Sequence, residues 1–562
     1  MRRLIAVVLL FSAVSAHPAS PEPRRARYGM VASTSEIASR VGVQIMKQGG
    51  NAVDAAVAVA FALAVTWPSA GNLGGGGFML IRKADGTSEA IDYRERAPLV
   101  ATRKMYLDAQ GNVIKGLSTD GYKAVAVPGT VAGLSLAHSR YGLLPWGVVV
   151  EPAQRLAQEG FFVEYHLSRS LQSESTNRKL GPWAESRRVF QRNGSYYNVG
   201  DRLVQPDLAA ALARIKKDPK DFYEGETSRL ILEDMQANGG LITAADLKGY
   251  QPTVRKTLTT TYRGYEIITM PPPSSGGVAL IEMLQMLEPV DLKSMGWNSA
   301  AYTHTLIETM RRAFADRAAF LGDTDFAKNV PVEGLLSRKY ALERRKDIDP
   351  AKATSSLKIA SGQPVRHESK DTTHFTVIDV DGNAVSNTYT LNDSYGSGVT
   401  AKGTGILLNN EMDDFTSKPG VPNDYQLIQG EANAIEPRKR PLSSMTPTIV
   451  VKDRKVRLAI GSPGGPTIIN TVLQVILNVI EFDMDIQEAI DAPRFHHQWL
   501  PDEIFWEPFF NADTREILEK MGHKFREKPT SLGDAQGVMI NPETSIRTGA
   551  SDPRLGGVPA GY

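Results

Sequence analysis

The spacing of hydrophobic and polar positions changes several times along this chain of 562 residues. The stretch 51–67 is rich in Ala and Val, opens on Asn51, carries Asp54 in its first turn and stops at Pro68. A capping residue followed by an early acid predicts a helix, and an apolar surface nearly all round predicts that it is buried. Phe78-Met-Leu-Ile81, after Asn72-Leu-Gly-Gly-Gly-Gly77, predicts a buried strand. Residues 271–277 (Pro-Pro-Pro-Ser-Ser-Gly-Gly) predict a rigid turn into a helix over 278–287. Residues 300–321 have helical spacing, with paired charges on the polar side. Alternation over 373–380 and 384–390, around Asp381-Gly382, predicts a hairpin. The runs 448–451 and 456–460, around 452–455, predict a second. Residues 466–482 predict a helix with Pro466 at its first position. Residues 351–370 are polar and patternless, as in a flexible linker. No internal repeat is found. Strands packed with mostly buried helices give an α+β layered domain.

Composition narrows the function. A formal net charge of +2, with no long basic block, gives no support for nucleic-acid binding. Arg2-Arg3, the apolar run 4–11 and the small residues ending at Ala16 form a signal-peptide pattern, with cleavage expected after residue 16. That run is too short to span a bilayer, which needs about 20 residues, so no membrane span is expected. The chain is expected to be exported, to the periplasm or beyond. Residues 17–28, rich in Pro and Arg, read as a disordered lead-in. With no cysteine at all, a large packed core must hold an exported fold that disulfides do not.

The chemistry concentrates in the second half. A threonine hydroxyl is a weak nucleophile that needs a base. If the chain is cut between Asp371 and Thr372, the freed α-amine of Thr372 titrates near pH 8 and supplies that base. The hairpin serves as a ruler. Pairing Val380 with Asn383 or Ala384 sets Thr372 opposite Leu391 or Asn392, so Thr390 and Asn392 lie beside it. They either orient the nucleophile or simply end a sheet in polar residues. Gly461-Ser-Pro-Gly-Gly-Pro-Thr467 joins a strand to a helix. Pro466 has no N–H, so Gly464 and Gly465 are the candidate oxyanion donors. The lysine of a phosphate loop is missing there and after Gly74–Gly77. Ser355-Ser-Leu-Lys358 lacks its β-lactamase companion motifs. His367-Glu368 lacks the second histidine of a zinc helix, and His496-His497 read as packing residues. No metal and no cofactor is expected.

These segments resemble the γ-glutamyltransferases, or glutathione hydrolases, of the N-terminal-nucleophile hydrolase type. The resemblance runs from about residue 29 to 562. It rests on Gly49–Ala56, Asn72–Gly77, Asp371–His374, Leu407–Phe415, Lys439–Met445, Gly461–Gly465, Ala492–His497 and Gly549–Arg554. It implies a four-layer αββα sandwich formed jointly by two chains cut from one precursor, a large subunit of 29–371 and a small catalytic subunit of 372–562. Thr372 would be the nucleophile, steadied by Thr390. Arg94 would clamp the substrate α-carboxylate, with Ser443 and Ser444 adding hydrogen bonds. Asn392, Glu411 and Asp414 would hold the α-amino group, and Tyr425 lies in a segment resembling a lid loop. A zwitterionic γ-glutamyl head needs such an arginine fork at one end and carboxylates at the other. The implied partners are glutathione and other γ-glutamyl compounds, with water, amino acids or peptides as acceptors. Two rivals are a cephalosporin (glutaryl) acylase on the same fold and an uncut, inactive periplasmic binding protein.

Overall fold

The structure, a computed structural model, describes residues 20–359, 372–418 and 431–562, and of Thr372 the backbone only. Two seven-stranded sheets form its centre. From edge to edge the first runs β1 (Arg24–Ala26), β13 (Arg547–Ser551), β12 (Gln536–Ile540), β11 (Lys455–Gly461), β10 (Thr448–Lys452), β7 (Tyr265–Thr269) and β6 (Leu258–Tyr262). The second runs β14 (Ala560–Gly561), β2 (Met30–Ser33), β8 (Thr372–Ile378), β9 (Ala384–Thr390), β3 (Gly76–Arg82), β4 (Ser88–Asp92) and β5 (Thr253–Arg255).

The sheets lie face to face, β8 and β9 against β11 and β12. Helices α1 (Glu36–Lys47) and α2 (Ala52–Thr66) cover the outer face of the second sheet. Helices α3 (Gly276–Leu287), α5 (Thr467–Phe482) and α6 (Ile486–Asp491) cover that of the first, and α4 (Ala300–Phe320) packs on α3. The period of two decides which side chain goes where. Phe375 and Val377 of β8 pack with the α1–α2 cluster, whereas Ile378 and Ala384 join the cluster between the sheets.

Helix α2 follows its sequence closely. Asn51 accepts from the Val53 and Asp54 amides, Asp54 reaches back to the cap, and every residue of the helix is buried. Two expectations are corrected, in the lead-in and in the linker. Arg24–Ala26, within the lead-in expected to be disordered, pair with Arg547–Gly549 as an edge strand. The charges of α4 are paired as expected, Glu308 with Arg311 and Arg312 and Asp316 with Arg344, and they are buried beneath other polar segments. The start of the linker is also tied down. The Ala353 amide donates to the Met521 carbonyl, and Trp499 Nε1 donates to the carbonyls of Ser356 and Ile359. The linker's remainder, 360–370, lies outside the described residues, as do the signal-peptide pattern and Tyr425. Among the described residues no helix is long and apolar enough to cross a membrane.

Candidate active site

The site is assembled where the second sheet ends. Thr372 lies opposite Thr390 in the β8–β9 pair, two residues short of Asn392. The expected register, with Thr372 opposite 391 or 392, is therefore corrected. The turn begins earlier than Asp381-Gly382 suggested. The Asp379 amide bonds the Asn383 carbonyl at 3.1 Å, which makes residues 379–383 the loop and leaves Val380 in it. Beyond the strand, Thr390 Oγ1 accepts from the Asn392 amide at 2.8 Å. Asn392 adopts a left-handed φ of 76°, which turns the chain out of the sheet, and its Nδ2 donates to the Asn410 carbonyl at 3.0 Å. That bond ties the end of β9 to the segment carrying Glu411 and Asp414.

The run Gly74–Gly77 has a packing reason rather than a phosphate. A Cβ on Gly75 would stand 1.9 Å from the Thr390 carbonyl oxygen, and one on Gly74 would stand 2.1 Å from that of Leu407. Gly76 makes room for Glu95, whose carboxylate carbon would be 2.7 Å from an added Cβ.

Arg94 is buried at the centre of a carboxylate cluster. Its guanidinium pairs with Asp414 and Glu411 and stands 3.6 Å from Glu95. It also donates to the Pro441 carbonyl at 3.3 Å and to that of Leu442 at 3.2 Å. Burial by itself would lower its pKa, but Glu411, Asp414 and Glu95 together hold it above the ordinary value. The acids respond in turn. Burial pushes the Asp414 carboxyl well up, Arg94 opposing and Glu411 reinforcing. Burial likewise raises Glu95, with Glu411 adding to it. Glu95 is fully buried, and neither of its oxygens has a hydrogen-bond partner among the described residues. Three carboxyls thus face one guanidinium in a dry pocket, an arrangement suited to a ligand that brings a further positive charge.

Ser443 and Ser444 border this cluster. The Ser443 carbonyl accepts from the Ser275 amide at 2.7 Å and its hydroxyl at 2.6 Å, so the Pro-rich turn of 271–277 anchors the serine pair. Ser443 Oγ accepts from the Met445 amide at 3.2 Å. Ser444 Oγ accepts from Arg317 Nη2 at 2.8 Å. Arg317 is itself buried on α4, and burial draws its pKa down to about 9 although Asp414 pulls the other way.

The turn after β11 supplies the last component. Gly464 and Gly465 have φ of 125° and 57°, in the half of the map that L side chains avoid. The Thr467 amide and hydroxyl both return to the Gly464 carbonyl, at 3.2 and 2.7 Å. Gly461, three residues before Gly464, packs directly on the His374 ring, where an added Cβ would lie 2.4 Å from a ring carbon. His374 is held between the hydroxyls of Thr388 and Thr376, and burial pushes its pKa down to about 3. A neutral histidine thus locks the glycine turn to the start of β8.

A family model described as Gamma-glutamyltranspeptidase matches residues 38–562. The glutathione hydrolase proenzyme of Escherichia coli strain K12 is 48% identical, the match covering 100% of this chain and 99% of that protein. The chain belongs to the gamma-glutamyltranspeptidase family. Among solved structures, cephalosporin acylase from Bacillus halodurans aligns with a TM-score of 0.87 at 28% identity, over 99% of each chain. A Helicobacter pylori gamma-glutamyltranspeptidase chain aligns with a TM-score of 0.57 at 40% identity, over 64% of this chain and 97% of that one.

For a gamma-glutamyltranspeptidase sequence, reading alone missed two residues of the pocket. Glu95 adjoins Arg94 but carries no signal of its own. Arg317 looks like any charged residue of an amphipathic helix. A second polar cluster lies elsewhere, where His304, Glu308 and His523 come close enough to hold a metal ion. Their atoms are already engaged. His304 and His523 bond each other at 2.8 Å, and Glu308 pairs with Arg312 at 2.7 Å. Two neighbouring guanidiniums, of Arg311 and Arg312, make this a poor place for a cation. His496 and His497 are buried packing residues, His496 bonding Asn470 at 2.7 Å and Gln498 at 3.0 Å.

Proposed function

We infer that the protein is a self-processing γ-glutamyltransferase and glutathione hydrolase. Cleavage before Thr372 yields subunits of 29–371 and 372–562, which together make up the N-terminal-nucleophile sandwich. The observation that carries the reading is the chain of contacts from the start of β8 to the carboxylate pocket. Thr372 pairs with Thr390, Thr390 bonds Asn392, Asn392 bonds the Asn410 carbonyl, and the adjacent Glu411 pairs with Arg94. A nucleophile position is thus linked directly to a site of suitable charge for an amino-acid head.

The Thr372 hydroxyl attacks the γ-carbonyl while its own α-amine takes the proton. Amides of Gly464 and Gly465 receive the oxyanion. Arg94 exchanges its partners Glu411 and Asp414 for the substrate α-carboxylate, with Ser443 and Ser444 alongside. Glu411 and Asp414, so released, take the α-ammonium with Asn392. The departing amine leaves with the proton, and water or an amine acceptor then opens the ester. Identity of 48% to a glutathione hydrolase, against 38% to the acylase ACY 1 proenzyme of Pseudomonas sp. strain SE83, supports the γ-glutamyl substrate. The name proenzyme supports processing. The export pattern of residues 1–16 supports a periplasmic or secreted location.

The test is N-terminal sequencing of the smaller band from purified protein, combined with turnover of a γ-glutamyl anilide. Thr372 should be the first residue, and Thr372→Ala should remain a single inactive chain. A different first residue, or an uncut active protein, would overturn the mechanism.

A further inference from the structure

A cleft of about 530 Å³ opens at the end of both sheets opposite Thr372. Its walls come from the segments that join or end strands there. Arg27 follows β1, Arg82 ends β3, and Asp381 belongs to the loop after β8. Arg454 lies in the turn between β10 and β11, Lys455 opens β11, and Arg547 opens β13. The length of β8 separates this cleft from Thr372 by roughly 20 Å, at ~3.3 Å per residue, so it is no part of the active site.

Five cations thus face one lining acid, Asp381. The other acids nearby are engaged elsewhere. Asp85 pairs with Lys83 at 2.6 Å. The Asp379 carboxylate accepts from the amides of Ala52, Asp381 and Asn383. Glu266, on β7, attracts Arg82 without bonding it. Among the described residues none of the five cations forms an ion pair. Two of them are built into the fold. Arg547 is buried, and its N–H groups are all used on the carbonyls of Arg27, Asp379, Val380 and Ser545. It supplies positive charge and holds the walls together. Arg82 is 4% exposed. It donates to the Lys83 carbonyl and, at 3.1 Å, to that of Arg454, while its Nε has no hydrogen-bond partner among the described residues. Burial lowers its pKa, Glu266 and Asp85 oppose, and Arg454 adds to the lowering. A buried cation without a counter-charge is costly, and an anion in the cleft relieves that cost. The Arg27 and Arg454 side chains are exposed on held backbone: the Arg27 amide donates to the Tyr562 carbonyl at 3.1 Å, and the Arg454 carbonyl accepts from Arg82. Thr544 and Ser545 add hydroxyls to the lining.

We propose that this cleft binds a small soluble diphosphate, bridged between Arg27 and Arg82 on one side and Arg454 and Lys455 on the other. Arginine grips phosphate through two parallel hydrogen bonds, and two adjacent phosphate groups match cations presented by separate walls. A cleft of this size admits a small ligand whole, whereas a lipid surface would reach only its rim. Arg27 and Arg82 precede the proposed cut, and Arg454 and Lys455 follow it. The ligand therefore ties the proposed subunits together at the end of the sheets away from the reaction.

The test is calorimetric titration of purified protein with pyrophosphate, at constant ionic strength because salt screens exposed charges. Pyrophosphate should bind at one site and raise the melting temperature of the processed protein. Inorganic phosphate should bind about tenfold more weakly, since it engages fewer of the cations. Combining Arg27→Gln with Arg454→Gln should weaken pyrophosphate binding about thirtyfold and abolish the melting shift. Its kcat and KM on a γ-glutamyl anilide should stay within about twofold, given the distance to Thr372. Lys402→Gln, which removes an exposed charge outside the cleft, should leave binding unchanged. No binding at millimolar pyrophosphate, binding unaltered in the double variant, or equal losses in the double variant and Lys402→Gln would each overturn the site. Vesicles of phosphatidylglycerol and phosphatidic acid should not sediment the protein. Sedimentation that the double variant loses would place a lipid surface there and overturn the soluble ligand. Binding requires no γ-glutamyl turnover, so this proposal and the reading of the active site fail separately.

Discussion

At the scale of residues, the pocket's behaviour follows from an excess of buried acid. Asp414 is assigned to the α-ammonium of the substrate, and its burial leaves no solvent to replace a lost partner. Losing one member of a buried charge pair costs roughly 2–5 kcal/mol. Asp414→Ala should therefore lower kcat/KM on a γ-glutamyl anilide about thirtyfold or more, at ~1.4 kcal/mol per decade. A glutaryl anilide lacks the ammonium and should be turned over at nearly the unsubstituted rate. Equal losses on both substrates would remove the assignment. The raised pKa values of Asp414 and Glu95 give a second expectation. A substrate ammonium beside them favours their ionised forms and should draw these raised values down. Affinity should therefore strengthen as pH rises through the range in which the carboxyls ionise, with protons released on binding across that range. Calorimetry in two buffers of different ionisation enthalpy reads the number released, and a pH-independent affinity with no release would refute it. Arg317 gives a third. A hydroxyl has a single proton, so Ser444 Oγ, while accepting from Arg317, can use its O–H only as donor elsewhere. Arg317→Met should raise KM for γ-glutamyl substrates about tenfold while changing kcat less than threefold. A fall in kcat at unchanged KM would point to another role.

Elements position these residues, and the glycine turn between β11 and α5 does so most exactingly. A Cβ at Gly464 would stand 2.4 Å from Thr467 Oγ1, at a φ that L residues rarely hold. Gly464→Ala must therefore tilt the turn and misdirect its amides. Losing one oxyanion donor costs on the order of 10²–10³ in kcat. A fall of about a hundredfold is expected, with KM changing less than threefold in protein confirmed as cut at Thr372. A fully active variant would show that the turn serves only the fold. At this scale the sequence was informative where a single local rule applied. The cap and apolar surface of α2 and the proline before α5 gave those helices within a residue or two. The β8–β9 register was missed because Asp379 and Asn383 bond across the loop, a contact that turn propensity alone does not reveal. The pairing of the α4 charges was legible, but their burial was not, because periodicity shows which face is polar and not what covers it.

At the scale of the whole molecule, the proposed cut falls in the middle of a sheet. Strand β8 lies between β2 of the proposed large subunit and β9 of the small, and β9 in turn pairs with β3 of the large. Large-subunit strands thus flank the β8–β9 pair, so separating the subunits would break ladders on both sides and expose the cores on either face. The cut protein should elute as one species in native size-exclusion chromatography and separate into two bands only in denaturant. Dissociation in dilute native buffer would contradict the interleaved sheet. The sequence by itself determined the glycine turn, the family and most of the pocket's residue types, and marked the proposed processing junction, because each depends on a local motif whose chemistry is carried by adjacent residues. Tertiary structure alone decided how Glu95, Arg94, Arg317, Glu411 and Asp414 share one buried pocket. Those relations join residues far apart in the chain, and a buried charge is defined by neighbours that only folding brings together.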